Sequence, residues 1–69
     1  MADTKKLKTI IDEKGIKQSH LANQLGITNQ ALSMKLNGKR PFKLEEAKEI
    51  CKLFNISKYD GYNIFLSNG

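Results

Sequence analysis

The sequence is poor in the residues that hold small secreted domains together. Its 69 residues include one cysteine, Cys51, which can form neither an internal disulfide nor a zinc site with other cysteines. Because small secreted domains usually depend on such links, we expect a cytoplasmic protein. No apolar run approaches the roughly 20 residues of a membrane span. The polar N-terminus, MADTKKLK, has no signal-peptide core.

Proline and strand-like alternation are also scarce. Pro41 is the only proline, and apolar residues recur at helical rather than strand spacing. A chain of this length is one small domain, residues 1–69, that buries only about 60% of its unfolded surface. We therefore predict an all-α fold, a compact bundle of four to five short helices. Its thin core leaves no room for a cofactor, and we expect no metal or small-molecule ligand.

The most informative absence is that of acidic residues. None occurs in residues 14–44, here called the acid-free window, although the chain has seven elsewhere and a net charge of +5. The window contains six basic residues: Lys14, Lys17, Lys35, Lys39, Arg40 and Lys43. Such sign asymmetry is typical of nucleic-acid-binding proteins. On charge alone, a solvated basic face without a specific partner is an equal alternative.

Helical periodicity divides the chain into short segments. The predicted helices are Thr4–Lys14, Gln18–Leu25, Thr28–Asn37 and Lys43–Phe54, with a short fifth helix within Lys58–Phe65. Asp3 or Thr4 can cap the first helix, and Thr28 can cap the third. The residues predicted to end helices in the left-handed conformation are Gly15, Gly26, Gly38 and Asn55.

The third helix is predicted to have one buried and one polar side. At about 100° per residue from Asn29, Leu32 and Leu36 lie near roughly 300° and 340°. The opposite side is uncharged and carries Gln30, Ser33, Met34 and Asn37, with Asn29 on its near flank. Asn and Gln can form paired hydrogen bonds with adenine in the major groove of DNA, and Ser can donate or accept. We predict that Asn29, Gln30, Ser33 and Met34 read bases.

Positive charges are predicted to stand around this face. Lys17 precedes the second helix, Lys39 and Arg40 follow the third, and Lys43 begins the fourth. Gln18 and Thr28 lie at helix N-termini, where free N–H groups favour phosphate. This arrangement predicts phosphate contacts that position the protein and base contacts that specify the site.

The segment Gln18-x-x-Leu21-Ala22-x-x-Leu25-Gly26-Ile27-Thr28, followed by Leu32, resembles the helix-turn-helix of the lambdoid phage Cro/repressor family, also called the XRE family. The loop from Leu36 to Phe42 and the segment from Ile50 to Ser57 resemble later parts of the same family. Together these matches cover residues from about 7 to 57. The resemblance implies a lambda-repressor-like domain with its helix-turn-helix at 18–37.

The resemblance also implies roles for individual residues. It places base contacts at Asn29, Gln30, Ser33 and Met34, and phosphate contacts at Gln18, Thr28, Asn37, Lys39 and Arg40. One departure is that Lys35 stands where many members bury an apolar or aromatic residue, and Leu36 where they keep Glu. We expect Leu36 to take over the core contact and the Lys35 stem to lie along the core edge.

Catalysis is not expected, so we predict no enzyme and no catalytic residues. His20 and Ser19 are adjacent in sequence and so do not face each other on a helix. Cys51 lies on the apolar side of the fourth helix, with Leu44, and is interpreted as a small core residue. The carboxylates Glu45, Glu46 and Glu49 are interpreted as a solvated face.

The residues after Ser57 have two interpretations. Their apolar side chains can complete the core, or the tail, residues 57–69, can form a dimer surface. The candidate interface residues are Ile56, Tyr59, Tyr62 and Phe65. The resemblance favours a homodimer, since the family usually binds two-fold operators with half-sites about 34–36 Å apart.

The sequence therefore predicts a DNA-binding transcriptional regulator that binds a palindromic operator in double-stranded DNA as a homodimer. Because the chain ends soon after the fifth helix, we expect a Cro-like phage or prophage repressor whose dimer is weak without DNA. One alternative is the excised DNA-binding domain of a longer repressor. Another is a protein-binding helical module, such as an antitoxin or antirepressor.

Overall fold

The structure, a computed structural model, describes residues 2–66, and within that range the chain is helical with no strand. The helices are α1 (Thr4–Lys14), α2 (Gln18–Leu25), α3 (Asn29–Leu36), α4 (Leu44–Leu53) and α5 (Lys58–Phe65). The all-α prediction is confirmed. α3 and α4 are one residue shorter at each end than predicted, because the terminal residues are the caps.

The turns between helices follow from residues that adopt the left-handed conformation. Gly26 ends α2 with φ 71°, and the N–H of Ile27 donates to the carbonyl of Ala22 at 3.0 Å. Asn55 ends α4 in the same way, with φ 55°. Such turns satisfy the last carbonyls of a helix and direct the chain back onto the core. The predicted turn positions are confirmed.

Every helix contributes one fully buried side chain to a shared core. These residues are Leu7, Leu21, Leu32, Ile50 and Ile64, none more than 1% exposed. Because each helix has at most eleven residues, none would be stable alone, and their order depends on this shared burial. α3 is enclosed by α1 and α2 on its apolar side, which leaves its polar side free.

α5 packs against α4 through a residue without a side chain. Gly61 is buried, and a Cβ atom at this position would lie 2.7 Å from Sγ of Cys51. Glycine therefore permits the close approach of the two helices. Cys51 is half-buried, and burial raises the pKa of its thiol. The core role predicted for Cys51 is thus only partly fulfilled.

Two predictions about charged residues are wrong. Lys35 does not lie along the core edge but is buried, at 6% exposure, and its ammonium contacts the carboxylate of Glu46. The Nζ atom lies 2.6 Å from Oε1 and 2.5 Å from Oε2. Glu46, predicted to be solvated, is also 6% exposed. The two charges are buried because each neutralises the other.

Glu46 has a second role at the start of α4. Its Oε1 accepts the backbone N–H of Lys43 at 2.8 Å, which caps the helix. The same carboxylate therefore joins α3 to the first turn of α4. It also fixes the end of the loop between the two helices, residues 37–43.

The ion pair of Lys35 and Glu46 explains why the side of α4 that packs against the core differs from the predicted one. Its buried stripe is Glu46, Ile50 and Phe54, which follow one another at four-residue spacing. Leu44 was predicted on the apolar side, but at about 100° per residue it falls roughly 120° from the middle of this stripe. Leu44 is accordingly 68% exposed.

The pKa of Glu46 reflects opposing influences. Burial raises it, but the hydrogen bond from Lys35, the N–H of Lys43 and the charges of both lysines together outweigh burial. The pKa therefore lies below its ordinary value of 4.5. A carboxyl group whose pKa is lower in the folded state stabilises the fold above its unfolded pKa. That stabilisation is lost as pH falls through the folded pKa.

We expect Glu46→Gln to lower the free energy of unfolding by about 3 kcal/mol at neutral pH, because it leaves Lys35 buried without a counter-charge. The difference from wild type should shrink as pH falls below 4.5, where wild type also loses the pair. Urea unfolding between neutral and acidic pH measures both effects. Glu45→Gln is the matched control, since Glu45 is exposed. Equal unfolding curves for the two variants would show that the pair does not stabilise the fold.

Candidate nucleic-acid interface

The polar side of α3 is presented to solvent as an uncharged surface. Leu32 and Leu36 are 0% and 4% exposed, so the helix has the roll that its periodicity predicts. Asn29 and Gln30 are exposed at its N-terminal end, and Ser33 and Met34 are half-buried one turn later. We call these last four residues the amide face. Because the charge of Lys35 is buried against Glu46, no charged group of α3 lies on this face.

Gln18 at the start of α2 orients the first residue of the amide face. Its Nε2 donates to Oδ1 of Asn29 at 3.0 Å and lies 3.4 Å from the Asn29 backbone carbonyl oxygen. With Oδ1 engaged, the Nδ2 group of Asn29 is left to donate outward. Gln18, predicted at a phosphate position, and Asn29, predicted at a base position, therefore form one unit across the turn.

The N-termini of α2 and α3 differ in their caps. The hydroxyl of Thr28 accepts the N–H of Ala31 at 3.0 Å, and the N–H groups of Asn29 and Gln30 have no partner within residues 2–66. The N-cap residue of α2 is Lys17, whose side chain does not cap the helix. The first N–H groups of α2 are thus unsatisfied within the residues described. Free N–H groups and the positive end of the helix dipole favour a phosphate at such a position.

Cations border the amide face on exposed segments. Lys17 precedes α2, and Lys39, Arg40 and Lys43 lie in or at the end of the loop after α3, all exposed. The N–H of Lys39 donates to the carbonyl of Met34 at 2.8 Å, which turns the chain tightly at the end of α3. The loop is anchored at its far end by Glu46. The structure thus holds the backbone of Lys39 against Met34 of the amide face and leaves all four cations exposed.

A residue that the sequence did not single out joins this group. Nζ of Lys8, on α1, donates to Oδ1 of Asn37 at 2.8 Å. The two positions are 29 residues apart, and no local pattern of the sequence connects them. Nδ2 of Asn37 lies 3.5 Å from Oγ of Ser33, so the contact continues to the amide face.

The candidate dimer residues fall into two groups. Phe65 packs its ring edge-on against Phe42, with ring centroids 5.5 Å apart, and Ile56 is also half-buried against the core. Tyr59 and Tyr62 are 75% and 61% exposed. Residues 67–69 of the predicted dimer-forming tail lie outside the described residues.

The remaining candidate residues are not brought together within residues 2–66. His20 is exposed on α2, as expected for a surface residue. Within residues 2–66, no group of three or more His, Cys, Asp or Glu side chains could hold a metal ion. No helix in the same range is long and apolar enough to cross a membrane.

Comparison with known proteins agrees with this geometry. A family model described as Helix-turn-helix matches residues 7–60, well over half of the chain. Neither a curated protein nor a solved structure matches the chain. The match includes both helices around Gly26, the amide face and the loop that carries Lys39 and Arg40. The chain therefore belongs to the XRE-type helix-turn-helix family, whose members are DNA-binding regulators.

Proposed function

We propose that this protein is a Cro-like phage or prophage repressor that binds a palindromic operator as a homodimer, with α3 in the major groove. The observation that carries the proposal is the uncharged amide face of α3, bordered by exposed cations. Amide and hydroxyl groups match the donors and acceptors on base edges.

The base-reading residues in this proposal are Asn29, Gln30, Ser33 and Met34. Asn29 and Gln30 are both exposed. Gln30 can form paired hydrogen bonds with adenine, and Nδ2 of Asn29 can donate to an acceptor on a base edge. Met34 is placed to contact the methyl group of a thymine. Ser33 lies between them and contacts either a donor or an acceptor.

The phosphate-binding residues stand on both sides of this set. They are Lys17, Gln18, Thr28, Asn37, Lys39, Arg40 and Lys43. The free N–H groups at the start of α2 and α3 serve one side of the groove, and the loop after α3 serves the other. A regulator of this design discriminates sequences through α3 and gains most of its affinity from the phosphates.

A two-fold operator requires two copies of the chain, and the exposed tyrosines of α5 supply a surface for this contact. Tyr59 and Tyr62 lie on one side of the helix, together with Leu66, which is 59% exposed. The stripe is short, so we propose a dimer that is weak in solution and stabilised when both copies occupy adjacent half-sites.

Binding to duplex DNA should weaken steeply with salt. Each subunit presents four exposed cations at the interface, Lys17, Lys39, Arg40 and Lys43, and about 6–10 phosphate contacts reduce affinity by roughly 10³–10⁵-fold between about 50 and 200 mM salt. Fluorescence anisotropy with a random-sequence duplex measures this dependence. Affinity that did not change with salt would contradict DNA binding and favour the protein-binding alternative, an antitoxin or antirepressor.

Two substitutions should separate base reading from phosphate binding. Gln30→Ala should relax preference at one operator position and cost about 1–3 kcal/mol there. Arg40→Ala should weaken binding to all sequences alike, because phosphate contacts carry no sequence information. Selection of sites from a random DNA pool, repeated with each variant, measures both. Unchanged specificity in Gln30→Ala would show that Gln30 does not face the bases.

The dimer contact can be tested on α5 without altering α3. Tyr59→Ser combined with Tyr62→Ser should abolish cooperative filling of two half-sites while leaving affinity for a single half-site unchanged. Leu44→Ser is the matched control, since it removes an equally exposed apolar side chain from α4. Band-shift titration on selected sites with one or two half-sites gives the comparison. Retained cooperativity in the double variant would place the dimer contact elsewhere.

A further inference from the structure

Lys8 lies on the side of α1 that faces the DNA-binding helices. It lines a surface depression together with Gln18, the residue that orients Asn29, and Leu36 of α3. Lys6, two residues earlier, lines a different depression with Phe54 and Asp60, on the side of α4 and α5. Two exposed lysines of one helix thus point to opposite sides of the molecule.

Lys8 binds a neutral amide although a carboxylate lies within reach on the same helix. Asp12 is four residues further along α1, the spacing at which oppositely charged side chains usually pair, and it lines the same depression. Yet Nζ of Lys8 lies 2.8 Å from Oδ1 of Asn37, a neutral amide. The single salt bridge within residues 2–66 is that of Lys35 and Glu46. Lys8 therefore has no carboxylate partner within the described residues.

The hydrogen bond also decides what Asn37 can offer to a ligand. Its carbonyl oxygen accepts from Lys8, and one N–H of its Nδ2 group approaches Oγ of Ser33, so one amide N–H remains to donate to a ligand. Lys8 has two further N–H donors. The ammonium of Lys8 and the amide of Asn37 together present only hydrogen-bond donors. Such a pair suits an anion better than a base edge, which carries both donors and acceptors.

A cation is needed at this position for a physical reason. The N-terminal end of α3 attracts phosphate through its own free N–H groups, but the C-terminal end carries partial negative charge that repels phosphate. Lys39 and Arg40 offset this on the loop side. Lys8 offsets the same partial negative charge from α1, a helix outside the helix-turn-helix.

We propose that Lys8 and Asn37 form a phosphate clamp, in which α1 grips the DNA backbone beside the C-terminal end of α3. The clamp rests on the proposed function, since its ligand is a backbone phosphate of the DNA duplex. It extends the interface beyond the helix-turn-helix to a third helix. Because Nδ2 of Asn37 also approaches Oγ of Ser33, the clamp is continuous with the amide face.

The test compares Lys8→Ala with Lys6→Ala, which removes the same charge from the opposite side of α1. Anisotropy titrations use the full chain and a fluorescent random-sequence duplex from about 50 to 200 mM KCl. Each phosphate contact contributes about 0.9 to the slope of log affinity against log salt. For Lys8→Ala, the affinity ratio of wild type to variant should therefore shrink about 3.5-fold per bound subunit across this range. Lys6→Ala should keep the wild-type slope, and Lys8→Arg should restore it.

The role of Asn37 is tested by a double-mutant cycle. Lys8→Ala should cost less affinity in an Asn37→Ala background than in wild type, because Asn37 holds the ammonium in place. Equal thermal midpoints for Lys8→Ala and Lys6→Ala would confirm that the loss is not structural. If the two lysine variants have the same slope, or if the losses at 8 and 37 simply multiply, the clamp is overturned. If wild type itself binds without salt dependence, the proposed function fails instead.

Discussion

The ion pair of Lys35 and Glu46 is the interaction on which the functional surface depends. In a core built from five short helices, two charges are buried at 6% exposure each and satisfy one another at 2.5–2.6 Å. Such pairs are weak contributors to stability compared with apolar packing, because removing charges from water is costly. Their geometry, however, is demanding. Lys35 fixes the roll of α3, and Glu46 fixes both the start of α4 and the end of the loop between them.

The ion pair also determines which charged groups remain at the surface of the protein. It withdraws one positive and one negative group from the surface without changing the net charge of +5. What remains at the interface is a neutral α3 between charged borders. In the proposed complex, phosphates lie against the charged borders and bases against the uncharged amide face. This division lets a general attraction to DNA coexist with discrimination between sequences.

Local chemistry explains which parts of the fold could be predicted. Helix ends follow from residues close in sequence, such as Thr28 for a cap or Gly26 for a turn, and their positions were predicted correctly. The roll of α3 follows from Leu32 and Leu36. The errors concern Lys35, Glu46 and Leu44, because periodicity treats every charge as solvated and every leucine as buried. Only the three-dimensional approach of two helices shows that two charges are buried together.

The same distinction applies to the interface. The residues within the helix-turn-helix could be proposed from their spacing, since α2 and α3 are joined by a short turn of fixed form. The contact between Lys8 and Asn37 could not be proposed from spacing, because it depends on how α1 crosses α3. The exposure of Tyr59 and Tyr62, and the contact of Phe65 with Phe42, likewise depend on the rotation of α5. That rotation depends on the close packing of Gly61 against Cys51, which is a steric fit that the spacing of apolar residues does not reveal.

The absence of a side-chain cap on α2 has a consequence for the folding of the free protein. A helix of eight residues with open N–H groups in its first turn frays easily. A phosphate at that end would complete the hydrogen bonding that the protein's own side chains leave incomplete. In the proposed complex, the nucleic acid therefore completes the hydrogen bonding of the first turn of α2. Recognition and ordering of α2 become a single thermodynamic event, with heat-capacity and amide-exchange signatures beyond those of a rigid surface meeting its ligand.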